Sequence, residues 1–304
     1  MAGEIFSSAL ARMFQKTLDK IIVDKSDGYE SGMYYKKYFD MDPMTTGISD
    51  HYENAIPALA TSKAEGAEVS MGTLREGYTT RYIPKTYALK MAVTEEAAED
   101  NLYPEGLNLA RRMKRNLLLT VEYDAGLVPA RGWNAAYVGA DGLCLFNAAH
   151  LLPGGAASGR NTLAVPMAPS VQALVVIRSA LMHQIGHDGF VSPLDMEAIV
   201  CPADQWAVWE GIVKSEMRPD AGNFAEINVI NRLRPEVVPV PFWLNTTTNW
   251  YVKTTADNGL LWRWRRKPRS ASWVDNNNGV MLYKVDARWD RKWSDWRAVY
   301  GSQA

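Results

Sequence analysis

The sequence predicts an α+β protein. Three observations point there: the apolar period changes to two near residue 67, a long helical block follows residue 94, and strand-like runs rich in tryptophan fill the chain after residue 225. The 304 residues are 47% apolar and 22% charged with a net charge of −1, the composition of a globular chain. A disordered, collagen-like or disulfide-stapled chain is excluded. No stretch of about 18 apolar residues is long enough to span a membrane. Glu4 precedes the first apolar run and no basic n-region is present, so a secretory leader is not expected. Cys144 and Cys201 lack CxxC spacing and read as buried free thiols.

Taken in order, residues 4–23 place Ile5, Phe6, Ala9, Leu10, Met13, Phe14, Leu18, Ile21 and Ile22 on one stripe of an amphipathic helix. Residues 24–62 are tyrosine-rich and broken by Gly28, Gly32, Pro43, Gly47 and Pro57, an arm that would pack on another subunit. Over 67–93 apolar and polar residues alternate, which predicts a two-stranded ribbon with Gly66, Gly72, Gly77 and Pro84 at its base and tip. Such a hairpin is marginal alone. Its candidate contacts with a neighbour are Met71, Arg75, Glu76, Tyr78, Arg81, Tyr82 and Tyr87. Replacing residues 70–86 with a short turn is expected to leave a folded monomer that no longer assembles.

Thr94 caps a short helix beginning with Glu95 and Glu96, and a second helix runs from Pro104 to about Leu127. Its apolar positions include Leu107, Ala110, Met113, Leu117 and Val121, and at 1.5 Å per residue it would be roughly 35 Å long. A Gly/Ala/Pro-rich connection covers 131–169, and Ser170 caps a helix to about Gln184. A turn at Asp188-Gly189, the buried strand MEAIVC and a helix from Pro202 to about Lys214 follow. The remaining strands, expected to be antiparallel, are INVIN, EVVPVPFWL, WYVKTT, GLLWRWRRK and GVMLYKVDARW.

Charge is unevenly spread. The last 54 residues hold 11 basic and 5 acidic side chains, net +6, and six of the eleven tryptophans. In GLLWRWRRK, alternation puts Trp262 and Trp264 inward and sends Arg263 and Arg265 outward. Arg263, Arg265 and Arg266 are the basic-tail candidates, directed at acidic residues of a neighbouring subunit or at nucleic-acid phosphates, with the subunit preferred. Catalytic, cofactor and metal sites are assigned no residues. GxGxxG after a strand, GxxxxGK[ST] and GxSxG are absent. His183 and His187 are four apart, but residue 184 is Gln where HExxH needs its Glu, and the helix is expected to stop near Gly186. His51 and His150 fall in loops.

Four stretches resemble the major capsid proteins of tailed bacteriophages, the Hong Kong 97-type fold, and among them the Mu-like subgroup. They are LFNAAHLLPGGAASGRNTL, the segment from HDGF through CPADQW to INVINR, VVPVPFWLNTTTNWYVKT, and the ending RWDRKWSDWRAVYGSQA. The likeness spans about 65–304. It departs from the pattern at His187-Asp188, where two acids are usual, and at Cys201, where a hydrophobic residue is usual. The resemblance implies an N-terminal arm (1–65), an extended loop (66–92), a peripheral domain with a spine helix (93–164), an axial domain (165–240) and C-terminal strands returning to the peripheral domain (241–304). It implies a virion shell assembled in the bacterial cytoplasm from hexamers and pentamers of this chain around double-stranded DNA, with decoration protein and portal as possible partners. The ribbon starts too early for a fused scaffolding domain, so a separate scaffolding protein is expected, with helix 4–23 a candidate contact. Covalent cross-links through Lys85, Lys90 and asparagines 276–278 are not expected. The rival readings are an encapsulin-type compartment and a tryptophan-rich carbohydrate-binding protein.

Overall fold

The computed structural model describes residues 32–56, 58–66, 68–69, 71–94, 103–152, 158–219, 226–243, 248–275 and 280–303, with backbone alone for 103–110. The expected helix 4–23, the helix after Thr94 and asparagines 276–278 lie outside them. In chain order the elements are α1 (Tyr35–Tyr38), β1 (Asp40–Pro43), β2 (Ser49–Ala55), β3 (Arg75–Tyr82), β4 (Lys85–Val93), α2 (Tyr103–Arg131), β5 (His150–Leu151) and β6 (Ser158–Gly159). Then come α3 (Val171–Met182), β7 (Met196–Pro202), α4 (Trp206–Lys214), α5 (Ile230–Leu233), β8 (Glu236–Val240), β9 (Asn249–Thr254), β10 (Leu260–Asp275), β11 (Val280–Trp293) and β12 (Val299–Gln303).

Two four-stranded sheets organise the chain, in the orders β1-β10-β11-β4 and β12-β9-β7-β8. The second sheet is buried on both faces. Ala198, Val200, Val238, Val240, Tyr251 and Val299 point into a core shared with α1, α2 and the first sheet. Their neighbours Ile199, Cys201, Val237, Trp250, Val252 and Tyr300 point into another, closed by α3 and α4. Period-two alternation therefore survives, but with apolar residues on both sides, which is why MEAIVC reads as one continuous apolar run.

The spine helix α2 has 29 residues, so it is roughly 43 Å long, and it runs past Pro129 into its last turn. Met113, Leu117, Leu118, Val121, Ala125 and Val128 lie buried along one side. Asp124 on that side is buried as well. Its Oδ2 accepts from Trp289 Nε1 at 2.8 Å, and its Oδ1 pairs with Arg291 Nη2 at 2.6 Å. Its backbone oxygen accepts from Arg291 Nε at 2.7 Å. Of the tail tryptophans, Trp262, Trp289 and Trp296 are buried and Trp273 is exposed; Trp262 packs 5.7 Å from Trp289, and Trp264 5.4 Å from it. The inward placement expected for both tryptophans agrees with this, though Trp264 is only half-buried.

Four expectations are corrected. The ribbon's two strands do not pair with each other: β3 pairs with β2, from the supposed irregular arm, and β4 is an edge strand on β11. Residues 83–84 turn the chain from one sheet into another. The boundary at 240 cuts through one sheet, since β9 and β12 lie beyond it yet complete the sheet of β7 and β8. The strands are not all antiparallel, for β1 runs parallel to β10 and β8 parallel to β7. INVIN is not a strand. Its alternating apolar residues Ile227 and Val229 face outward, with Ile227 at 64% exposure, while Asn228 and Ile230 are buried. Asn228 Nδ2 donates to Ile212 O (2.6 Å) and Ser215 O (2.9 Å), and Asn231 Nδ2 donates to Lys214 O (2.8 Å). These amides satisfy carbonyls that the end of α4 leaves open.

Other local readings hold. Ser170 Oγ accepts from Ala173 N at 3.1 Å and caps α3. Gly189 takes φ +86° in the expected turn, where a side chain would be strained. Both cysteines are buried free thiols, and burial pushes Cys201 up to about 12. No helix among the described residues is long and apolar enough to cross a membrane.

Two substitutions test this core. Asp124→Ala should destabilise the fold by about 3–5 kcal/mol, because it leaves the Arg291 charge and the Trp289 N–H without their buried partner. A urea-unfolding change under 1 kcal/mol, roughly the worth of an exposed ion pair, would contradict that role. Glu122, whose Oε1 accepts from Tyr35 N at 3.3 Å, is raised by burial to about 6 from 4.5. The folded state thus binds the extra proton between those pH values, and stability falls as pH rises through that window, by about 2 kcal/mol in all. Glu122→Gln should remove this slope and melt higher than the parent at pH 7.5.

Candidate assembly surface

The hairpin β2–β3 stands on a fixed root. At its base Tyr82 is fully buried and its hydroxyl lies 2.7 Å from Ser294 Oγ. The Arg263 guanidinium covers the Tyr82 ring at 4.3 Å, pairs with Asp42 Oδ2 at 2.7 Å and donates to Ser49 Oγ at 2.8 Å. Just beyond, Ile83 N donates to Asp290 Oδ2 at 2.7 Å, and Arg288 Nε donates to Pro84 O at 3.1 Å. Every one of these contacts reaches β1, β2, β10, β11 or the segment after β11, so the root is part of the body.

Above the root the register runs from Ser49↔Tyr82 to Ala55↔Arg75, interrupted opposite Glu53. There Gly77 lies so close to the Glu53 carbonyl that a Cβ at 77 would overlap its oxygen. Gly77 is thus a place where two backbones touch, not a flexible joint. Asp50 and Arg81 face each other across the strands in a two-bond pair of 2.8 and 2.9 Å, which holds the Asp50 carboxyl below its ordinary range. Past Ala55 and before Arg75 the chain has no sheet partner among the described residues. Ile56, Leu59, Val69 and Leu74 are exposed there, and Met71 is 94% exposed. Several large apolar side chains in one projecting loop make a patch that needs a cover.

The predicted contact residues therefore divide. Met71, Arg75 and Glu76 are exposed on or beside the tip, and Tyr78 is half-buried in β3. Arg81 is exposed but already paired with Asp50. Tyr82 is corrected to a core residue. Tyr87 is half-buried against the same core, where it stacks on Trp289 at 4.0 Å and reaches Asp124 Oδ2 at 3.4 Å. Sequence alternation could not show this, because residues 75–93 belong to two sheets.

The basic tail is corrected in the same way. Arg263 is buried against Asp42, and Arg266 pairs with the buried Asp286. Arg269 Nε lies 3.2 Å from Asp286 Oδ1. Acids of the same chain take the charges that were expected to meet a neighbour, which leaves Arg265 exposed at a bulge of β10. The buried Trp262, Trp289 and Trp296 form no platform for a sugar.

Among the predicted loop histidines, His150 is buried. Its Nδ1 lies 2.5 Å from Asp141 Oδ2, and its ring stacks on Trp296 at 4.6 Å. Asn161 Nδ2 donates to Leu145 O at 2.6 Å and Trp296 O at 3.0 Å. The polar residues of the LFNAAH…N stretch thus hold a loop together. His187 meets Glu53 and Asp295, a grouping no sequence pattern announces. Burial and the nearby Asp295 push Glu53 up to about 8. Against its own burial, His187 and Arg297 hold Asp295 down at about 2.

A family model described as phage capsid protein matches residues 77–302. No curated protein matches the chain. Among solved structures, the capsid of an empty GTA particle is 12% identical with a TM-score of 0.51, covering 88% of each chain. The capsid of a native GTA particle gives the same values. A virus-like particle from Pyrococcus furiosus is 10% identical with a TM-score of 0.50, covering 95% of this chain and 99% of that one.

Gly77→Ala tests the strand contact. The substitution should force β2 and β3 apart opposite Glu53, at a cost of about 1–3 kcal/mol. Amide exchange should quicken within 49–55 and 75–82 while α2 and β11 keep their protection. Unchanged exchange in the hairpin would show that the two backbones have room.

Proposed function

The chain belongs to the phage capsid protein family and is a major capsid protein, a subunit of an icosahedral shell; we propose that the tip of its β2–β3 hairpin is the clamp by which neighbouring subunits hold one another. One observation carries this reading: an apolar tip, Met71 at its most exposed, projects from a root that is buried in the subunit's own core. Burying a tip side chain of that size on a neighbour contributes about 1.5–3 kcal/mol, repeated at every contact of a symmetric shell. Arg75 and Glu76 fit the polar rim of such a contact.

A second set of exposed apolar side chains, Trp206 and Val208 on α4 and Val175 and Val176 on α3, lies on the body that the family resemblance makes axial. We assign it to contacts within hexamers and pentamers. Packaged double-stranded DNA would meet the inner surface by sequence-blind phosphate contacts, with Arg265 as a candidate. A scaffolding protein, a decoration protein and a portal are the further partners this reading implies, with assembly in the host cytoplasm.

The test shortens the hairpin without touching its root. Replacing residues 57–73 with a short Gly-Ser turn should give a folded, soluble subunit that forms no closed shells by electron microscopy. The wider replacement of 70–86 is no longer suitable, because it removes the buried Tyr82. Shells of normal appearance from the 57–73 variant would rule the clamp out. Double-stranded DNA inside shells from infected cells, in place of a cargo enzyme, separates a phage head from an encapsulin-type compartment.

A further inference from the structure

We propose that Glu53, His187 and Asp295 form a binding site for a divalent transition-metal ion, zinc in the first place, which ties the hairpin to the body. The three residues come from β2, the turn after α3 and the segment before β12. His187 Nε2 lies 3.5 Å from Glu53 Oε2 and 3.4 Å from Asp295 Oδ2, and one ligand atom from each residue falls within 4.8 Å of the others. The first two distances are long for hydrogen bonds. They match the edge of a tetrahedron around zinc, whose bonds of about 2.0–2.1 Å set neighbouring ligand atoms roughly 3.3–3.4 Å apart.

A second observation points to a ligand independently of these distances. Glu53 Oε1 and both ring nitrogens of His187 are shut off from solvent and have no hydrogen-bond partner. The Glu53 side chain is only 8% exposed and that of His187 14%. Three buried polar atoms without partners in one place are costly, and a bound ion or ordered water is the usual reason for such a group. One imidazole with two carboxylates selects among ions: calcium and magnesium prefer all-oxygen sites, whereas zinc takes nitrogen and oxygen together.

Arg297 is the competing cation. Its Nη2 lies 2.7 Å from Asp295 Oδ2, and its backbone N donates to Asp295 Oδ1 at 2.8 Å. These bonds fix the carboxylate's orientation, as outer partners of metal ligands do. Arg297 supplies one positive charge against the two carboxyl groups of Glu53 and Asp295. Bound metal would fasten residue 53, beside the Gly77 contact, to two segments of the body.

The experiment uses the full chain, stripped with a chelator and dialysed. Zinc should bind with a stoichiometry of about one per chain and raise the melting temperature saturably. Calcium at the same concentration should not. Cobalt(II) should give the visible absorption of a tetrahedral nitrogen–oxygen site, a readout that needs no variant. His187→Gln and Glu53→Gln should weaken zinc at least about tenfold, while His51→Gln, which alters a neighbouring hairpin histidine, leaves it unchanged. If the stripped chain binds no zinc, or if His187→Gln binds it as tightly, the atoms are satisfied by water and Arg297 alone and the proposal fails.

Discussion

The architecture hangs on the junction between the spine helix and the first sheet, and that junction is made by a buried carboxylate. Asp124 takes hydrogen bonds from Trp289 and Arg291 on one strand, and Tyr87 reaches it from the next. A long helix could slide along a sheet if apolar contact alone held it, since such contact is nearly indifferent to small translations. Directional bonds to one residue fix the register of the helix against β11. Because β11 and the residue just after it also anchor the root of the hairpin through Asp290, Arg288 and Ser294, that register also fixes where the hairpin leaves the body.

Much of the fold was legible because local physics wrote it. The apolar stripe of α2, the Ser170 cap, the Asp188-Gly189 turn and the continuous apolar run of β7 are all short-range signals. Pairing was harder. Alternation over 75–93 is real, yet it cannot say that Tyr82 ends one sheet and Lys85 begins another. INVIN misled for a related reason. Ile227 and Val229 flank Asn228 there as in a strand, but the buried residue of the three is the asparagine, whose amide is needed by the end of α4. The site was less legible than the fold. The exposed tip residues followed from glycine and proline placement, whereas the grouping of Glu53, His187 and Asp295 needs three distant segments folded together.

The positive tail shows how composition can mislead. A net charge of +6 over 54 residues suggests an outward-facing electrostatic role, yet Asp286 is fully buried among Arg266, Arg269 and Lys284, and Arg263 is buried against Asp42. Buried arginine needs its counter-charge within the fold, because an unpaired ion in the interior costs several kcal/mol. The surplus is therefore largely internal. Shape and apolar area at the hairpin tip remain the stronger basis for recognition between subunits, with the exposed charges tuning approach and register.

The sheet with two buried faces carries a consequence for synthesis. Its strand order, β12-β9-β7-β8, places the strand made last of the four beside β9, and that strand gives Val299 to one core and Tyr300 to the other. Until the ribosome has passed residue 303, both cores lack one wall. The growing chain therefore cannot finish either half ahead of the other, and a hairpin translated much earlier has no completed body from which to reach a neighbour. Assembly of a polymer from a nascent subunit is discouraged by topology alone.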